Sequence, residues 1–297
     1  LIACIKAIEN KQETICCSST GNAASSLAGN AAKLGLKSLI FVPKRAPIGK
    51  LAQLVTYGAN LIKIDGDYKQ TFSASKAAID KFGLYNRNAA INPHLVEGKK
   101  TVALEIAEQL DFKKIDNVII SVGDGCSIGA VYKGFYDLFQ LNLIPSIPRI
   151  IGVQSEGCSP FYTAWKTNTA LKETEENTIA DSIAVGIPRN PVKGLNAVKK
   201  TNGLFVTVTD TEILDATSIL GASEGIFTEP AASASLAGLI KLVHEKKINK
   251  DETTVVIATG NGLKDQASIL SRVESVPVIT TEKLIKDVFS NCKDNEI

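Results

Sequence analysis

The sequence predicts an α/β protein built on two open, mostly parallel sheets flanked by helices, and three observations carry that prediction. Apolar runs of strand length alternate with helix-length amphipathic runs through residues 1–258. Glycine closes one helix after another, at Gly35, Gly58 and Gly83. Three strands run straight into glycine-bearing loops, at residues 18–22, 123–127 and 259–265.

Each element follows from local pattern. Residues 1–9 read as a helix because Leu1, Ile2, Ile5 and Ile8 fall near a 3.6-residue stripe. Residues 14–17, rich in β-branched and small apolar side chains, read as a strand, and the alanine- and leucine-rich 23–34 as a helix. A buried strand over 38–42 is closed by Pro43. The unit then recurs: helix 48–57, strand 60–64, helix 68–82 and a short strand over 84–88. The pattern pauses at Asn92-Pro93-His94, and a longer helix over 98–110 carries Val102, Leu104, Ile106 and Leu110 as its apolar positions. A boundary is placed here, giving an N-terminal α/β domain over 1–108 and a C-terminal one over 109–297.

The second half repeats the scheme. A strongly apolar strand over 117–122 enters Gly123-Asp124-Gly125-Cys126-Ser127, followed by helix 128–140 and strand 149–154. A mixed stretch over 157–202 holds Trp165 and the turn Gly186-Ile187-Pro188-Arg189-Asn190-Pro191. Strand 204–209, helix 211–220 opened by Asp210, helix 231–246 and a last buried strand over 253–258 complete it. Residues 266–297 read as polar and irregular, with one amphipathic helix near 281–289. Neither a repeat nor a low-complexity tract is present.

Bulk properties exclude several classes. The chain has 297 residues, 44% hydrophobic and 22% charged, which suits a globular protein with a sizeable core. With 33 basic and 31 acidic residues, the balance gives no electrostatic reason to expect nucleic acid or an anionic membrane. No apolar run is long enough to span a bilayer and no charged-then-apolar export pattern is read at Leu1, so the cytoplasm is expected. Six cysteines, at 4, 16, 17, 126, 158 and 292, show neither metal-site nor disulfide-framework spacing and are expected as buried thiols, with no metal. Adjacent Cys16 and Cys17 would face opposite sides of a strand. The chain holds no methionine and opens inside a helical stripe, so either residues upstream of Leu1 or replaced methionines are expected.

The three loops carry the chemistry. In an open parallel sheet ligands bind beyond the carboxyl ends of the strands, where all three lie. Ser19, Thr20, Gly21 and Asn22 place hydroxyl, amide and backbone donors at a helix start that favours anions; the same residue types also serve as an ordinary N-cap. Gly123 to Ser127 form a potential backbone nest for a phosphate, within which Asp124 must face away or cap the helix. Gly123, Gly125 and Gly129, with Glu156 after the next strand, also form a variant dinucleotide fingerprint, which leaves an NAD(P)-binding oxidoreductase as an alternative.

Taken in order, Ser19-Thr20-Gly21-Asn22, Gly49-Lys50-Leu51-Ala52-Gln53 with Tyr57-Gly58-Ala59, Asn92-Pro93, Glu97-Gly98-Lys99-Lys100-Thr101, the 123–127 loop with Lys133-Gly134-Phe135, Glu224-Gly225-Ile226-Phe227 with Glu229-Pro230, and Thr259-Gly260-Asn261-Gly262-Leu263-Lys264-Asp265 resemble threonine synthase. More broadly the chain is similar to the fold type II pyridoxal phosphate enzymes, the tryptophan synthase beta-like fold. The resemblance implies pyridoxal 5'-phosphate as cofactor, a small amino acid as substrate, a homodimer, and β/γ-elimination or replacement as chemistry. It implies that Asn22 meets the phenolic oxygen of the cofactor ring, that Ser19, Thr20 and Gly21 grip the substrate carboxylate, and that Gly123, Asp124, Gly125, Cys126 and Ser127 hold the cofactor phosphate. Thr259 would meet the pyridine nitrogen. Glu229 would lie near the ring or serve structurally beside Pro230.

Two departures shape the expectation. The Schiff-base lysine of the family belongs to a short motif at the start of the first helix, so it is expected upstream of Leu1; Lys6 stands in the wrong context, and Lys50 is expected to cap or solvate its own helix. The Asn-Ser pair and the arginine that flank the Asn-Pro of threonine synthases and hold a substrate phosphate are replaced by Ala89-Ala90 and Leu95. Arg87 or His94 could substitute, but the simpler expectation is a different substrate side chain. A β-replacing synthase of the cysteine or cysteate type, a serine/threonine dehydratase, a 2-amino-4-ketopentanoate thiolase subunit and a catalytically silent partner subunit therefore stand beside threonine synthesis.

Overall fold

A computed structural model describes residues 1–46, 48–66, 68–88 and 91–270. It contains two four-stranded sheets, all pairs parallel. The first is built from β1 (Thr14–Ser18), β2 (Lys37–Pro43), β3 (Asn60–Ile64) and β4 (Tyr85–Asn86), in the order β3-β2-β1-β4. The second is built from β5 (Asn117–Ser121), β6 (Arg149–Ser155), β7 (Leu204–Val208) and β8 (Thr254–Ile257), in the order β7-β6-β5-β8. The direction of winding reverses at β1 in one sheet and β5 in the other. A crevice opens at such a reversal. The strands that feed the first two predicted loops are therefore the ones at which topology provides room for a ligand.

Helices connect the strands: α1 (Ile2–Glu9), α2 (Asn22–Lys33), α3 (Ile48–Thr56), α4 (Tyr68–Phe82), α5 (His94–Lys99), α6 (Thr101–Gln109), α7 (Cys126–Gln140), α8 (Pro160–Thr167), α9 (Pro191–Lys200), α10 (Asp210–Glu224), α11 (Pro230–His244) and α12 (Ala267–Leu270). Alternation along the strands divides the core. Val118, Ile120 and Ile150 join Phe135, Phe161 and Phe205 on one face of the second sheet, while Ile119, Ile151 and Val153 join Ile213, Ala234 and Leu242 on the other. In the first sheet Cys17 packs into the core with Ile15, Ile40 and Leu54, and Cys16 points to the other face. All five cysteines among the described residues are buried free thiols. No helix among the described residues is long and apolar enough to cross a membrane.

The sequence-based elements differ from the structure at four places. The helix expected over 98–110 begins earlier and is interrupted at Lys100, giving α5 and α6. Pro93 is the N-cap of α5, and the Asn92 side chain accepts from the His94 amide at 3.0 Å, so the Asn-Pro pause lies at a helix start. The mixed 157–202 stretch contains α8, α9 and a 3₁₀ turn at Asp181–Ile183; both helices carry proline in the first turn, after Ser159 and Asn190. Helix α10 runs past the expected end to Glu224 and stops at Gly225, whose φ of 66° lies in the left-handed region that favours glycine. Its start is a capping box: the Glu212 amide donates to Thr209 Oγ1 at 3.2 Å, and Glu212 Oε2 accepts from the Thr209 amide at 2.6 Å. Within the expected irregular tail, Ala267–Leu270 is helical. The helix expected near 281–289, and Cys292, lie outside the described residues.

The two halves meet along α5 and α6. Gly98 lets α5 close on α1, since a Cβ there would lie 3.3 Å from Ile2. Helix α6 packs on α7 and delivers Ala103 and Ala107 to the core of the second sheet. A four-member ion network ties α5 to α7: Lys100 Nζ contacts Asp137 Oδ2 at 2.7 Å and Glu97 Oε2 at 2.8 Å, while Lys133 reaches the same two carboxylates. These contacts hold the loop ends of the two sheets toward one another.

Candidate active site

A cavity of about 960 Å³ lies between the sheets. It is lined by all ten residues named from sequence: Ser19, Thr20, Gly21, Asn22, Gly123, Asp124, Gly125, Cys126, Ser127 and Thr259.

The first loop leaves β1 with its backbone tied on both sides. The Ser18 amide donates to Asn88 Oδ1 at 2.8 Å and the Ser19 amide to the Phe41 carbonyl at 3.2 Å. The N-cap of α2 is Gly21, which has no side chain to cap with. Capping therefore does not consume the side chains of Thr20 or Asn22. Ser19 Oγ accepts from the Gly21 amide at 3.3 Å, which tightens the turn. Asn22 Nδ2 donates to Glu229 Oε1 at 2.9 Å, an interaction that crosses from one half of the chain to the other.

The second loop has the geometry of an anion nest. Gly125, at φ 81°, is the N-cap of the fifteen-residue α7. Among the described residues the amides of Gly123, Asp124, Gly125 and Ser127 find no acceptor. Unmatched amides at a helix start suit a phosphate. Asp124, the apparent misfit, faces away. Its carboxylate accepts from the Arg189 amide and from Arg189 Nη1, each at 3.2 Å, and its carbonyl accepts from the Asn190 amide at 2.9 Å. Arg189 in turn lies over the Phe72 ring, 4.3 Å from its centroid. Burial pushes the Cys126 thiol up, which disfavours the thiolate beside the nest.

The third loop is braced from behind. The Glu229 amide donates to the Gly260 carbonyl at 3.1 Å and the Gly262 amide to the Phe227 carbonyl at 3.0 Å. Glu229 is only 5% exposed, and a Cβ on Gly260 would lie 2.1 Å from its Oε1, so only glycine leaves it room. Burial pushes this carboxyl up, against hydrogen bonds from Ser182 and Asn22 that pull it down. Glu229 thus stands beside Asn22, and sequence alone left its place open. Sequence reading also missed Ser182, Asp181 and Arg189, which reach the cavity from the 157–202 stretch. Lys50, expected to cap or solvate its own helix, instead contacts Asp181 Oδ2 at 2.5 Å across the cavity. No local signal marks such pairs, because their partners lie far apart in the chain, 65 positions for Arg189 and Asp124 and 131 for Lys50 and Asp181. Glu156, the ribose partner of the dinucleotide alternative, pairs with Lys241 at 3.5 Å and does not line the cavity.

Two parallel sheets that reverse winding at a shared cavity, with an amide nest facing a Ser-Thr-Gly-Asn loop, define an α/β enzyme built around a phosphorylated cofactor. The chain belongs to the pyridoxal-phosphate dependent enzyme family, whose profile matches residues 1–260. It is 39% identical to threonine synthase of Methanosarcina acetivorans over 277 residues, covering 92% of this chain and 68% of that protein. It is 40% identical to threonine synthase of Bacillus sp. (strain ULM1), covering 89% and 73%. Among solved structures, the processed form of threonine deaminase isoform 2 from Solanum lycopersicum superposes with a TM-score of 0.79 at 20% identity, covering 93% of this chain and 79% of that one. The chain is a fold type II, pyridoxal-phosphate-dependent lyase-type enzyme of amino-acid metabolism, acting by elimination or replacement on a small amino acid. The residues fit the cofactor: the 123–127 loop supplies unmatched amides, and Asn22 and Thr259 supply side-chain polar groups to the same cavity.

Proposed function

We propose that the 123–127 loop holds the cofactor phosphate, that Asn22 and Thr259 orient the ring, and that Ser19, Thr20 and Gly21 hold the substrate carboxylate. The observation that carries this reading is the convergence of all three loops on one cavity with the 123–127 amides unmatched. Pyridoxal phosphate, when bound, supplies a conjugated system that takes up the electron pair left as the α-hydrogen departs as a proton. The protein's part is positional. The N-terminus of α7 offers partial positive charge to the phosphate, and the Asp124–Arg189 pair keeps the neighbouring carboxylate turned aside. Glu229 fixes the Asn22 amide by accepting from Nδ2, so that the second Nδ2 hydrogen is free for the ring oxygen. Thr259 brings a hydroxyl where a carboxylate would hold a proton on the ring nitrogen, which suits elimination and replacement. The lysine that moves the proton is the one the resemblance puts upstream of Leu1.

Threonine synthesis is the particular reaction supported by the relatives' names, with β-replacement and dehydration as its neighbours. A homodimer working in the cytoplasm completes the proposal. The test is the full-length protein with pyridoxal phosphate. Visible absorbance that borohydride abolishes is expected, with a spectral change on adding one of a panel of phosphorylated, acetylated and free hydroxy amino acids. A protein that takes up no cofactor overturns the reading.

A further inference from the structure

A carboxylate inside an anion nest repels the ligand that the nest is built to hold. Asp124 is such a carboxylate, and helix capping does not explain it: the N-cap of α7 is Gly125, and among the described residues no side chain caps that helix. Its partner comes from 65 positions along the chain, where Arg189 meets it through both the backbone amide and Nη1, with both side chains half-buried. Asn190 continues the brace, donating its amide to the Asp124 carbonyl at 2.9 Å and its Nδ2 to Cys126 Sγ at 2.7 Å. The backbone thus fixes where the Arg189 side chain begins. Where it ends is fixed by Phe72, whose ring centroid lies 4.3 Å from the guanidinium carbon. A guanidinium stacked flat on a ring keeps its edge N–H groups for hydrogen bonds, so one side chain serves both contacts.

Phe72 belongs to the other half of the molecule. It stands on α4, which packs on β1 and β2 of the first sheet and whose Thr71, Ser75 and Ile79 are buried. Phe72, Asp124 and Arg189 all line the cavity, with the ring on one side of it and the ion pair on the other. We propose that Arg189 and Phe72 are positioning residues for cofactor binding: Phe72 holds the Arg189 guanidinium against Asp124, and the neutralised carboxylate leaves the 123–127 amides able to accept a phosphate. This rests on the functional reading above and adds that the phosphate affinity of a loop on the second sheet depends on a side chain carried by the first. Neither side chain touches the cofactor in this assignment.

The test is absorbance titration of the full-length protein, freed of cofactor, with pyridoxal phosphate and with pyridoxal, which lacks the phosphate. Arg189→Gln should weaken pyridoxal phosphate binding roughly ten- to hundredfold and pyridoxal binding by no more than about threefold. Adding Asp124→Asn to Arg189→Gln should return most of the loss. Phe72→Leu should weaken pyridoxal phosphate binding roughly three- to tenfold, Phe72→Tyr should restore it, and Phe72→Leu should change nothing further in a chain that already carries Arg189→Gln. Arg189→Lys, which keeps the charge and loses the flat stack, should match Phe72→Leu and carries the test if the glutamine variant does not fold. Three results would overturn the assignment. Equal losses for pyridoxal phosphate and pyridoxal would mean a structural role. A loss that Asp124→Asn does not reverse would put the guanidinium on the phosphate itself, and a Phe72→Leu loss of the same size with and without Arg189 would remove the link between the halves. A wild-type protein that takes up no pyridoxal phosphate sinks the functional reading before any variant is compared, and the positioning roles fall with it.

Discussion

Replacing Gly125 by alanine tests the nest and its support together. The residue sits at φ 81°, where an L side chain costs about 1–2 kcal/mol. The new Cβ would also lie 2.6 Å from Phe161 Cζ and 2.7 Å from the Asn190 carbonyl oxygen. Phe161 cannot yield: it is fully buried and stacked on Phe205 with centroids 5.5 Å apart. Overpacking of that kind adds about 1–3 kcal/mol, so the change as a whole is worth about 2–5 kcal/mol. Part of it should appear as a lower denaturation midpoint and part as weaker pyridoxal phosphate binding, because the loop relieves the clash by moving its amides. Urea unfolding and absorbance titration of the cofactor measure the two parts. Gly221→Ala is the control: it lies inside α10, and a Cβ there meets nothing within 4 Å, so it should stabilise by about 0.5–1 kcal/mol. If Gly125→Ala unfolds within about 0.5 kcal/mol of wild type and binds the cofactor as tightly, both the strain and the nest are wrong.

Two further outcomes follow from contacts elsewhere. Gly134→Ala would put a Cβ 2.6 Å from the Lys100 carbonyl oxygen and 2.7 Å from Ala103 Cβ, so it should cost about 1–3 kcal/mol in urea unfolding. An unchanged midpoint would mean that α6 and α7 are not packed as closely as described. Glu229→Gln should change the pH dependence of stability. Burial raises the Glu229 carboxyl in the folded state, so folding holds its proton more tightly than the unfolded chain does. That contribution is present below the ordinary carboxylate range and is lost as pH rises through the raised value. The variant should therefore gain melting temperature relative to wild type between pH 4 and pH 8, and a difference that stays constant over that range would refute a raised carboxyl.

Much of the fold was legible because its signals are local. The bounds of β3 and α4 agree with the pattern of apolar residues and closing glycines, and the ends of most other elements shift by one or two residues. Two of the helices that escaped notice, α8 and α9, begin with Ser-Pro and Asn-Pro, a start signal that also reads as a turn when the apolar stripe behind it is short. The site was legible in its loops for the same reason. Ser-Thr-Gly-Asn and the 123–127 glycines are contiguous, and a strand-to-helix junction places such residues at a sheet edge whatever else the chain does.

By itself the sequence determined the strand-helix alternation, the three glycine loops and the family of the cofactor, all of which are encoded in runs of a few residues. Only the tertiary structure decided which strands mark the reversal of winding, that Asp124 turns to Arg189 and that Glu229 holds Asn22. The two pairings span 65 and 207 positions of chain. The physical reason is that a side chain's partner is set by where packing of the two sheets brings distant loops, and no short window of residues records that distance.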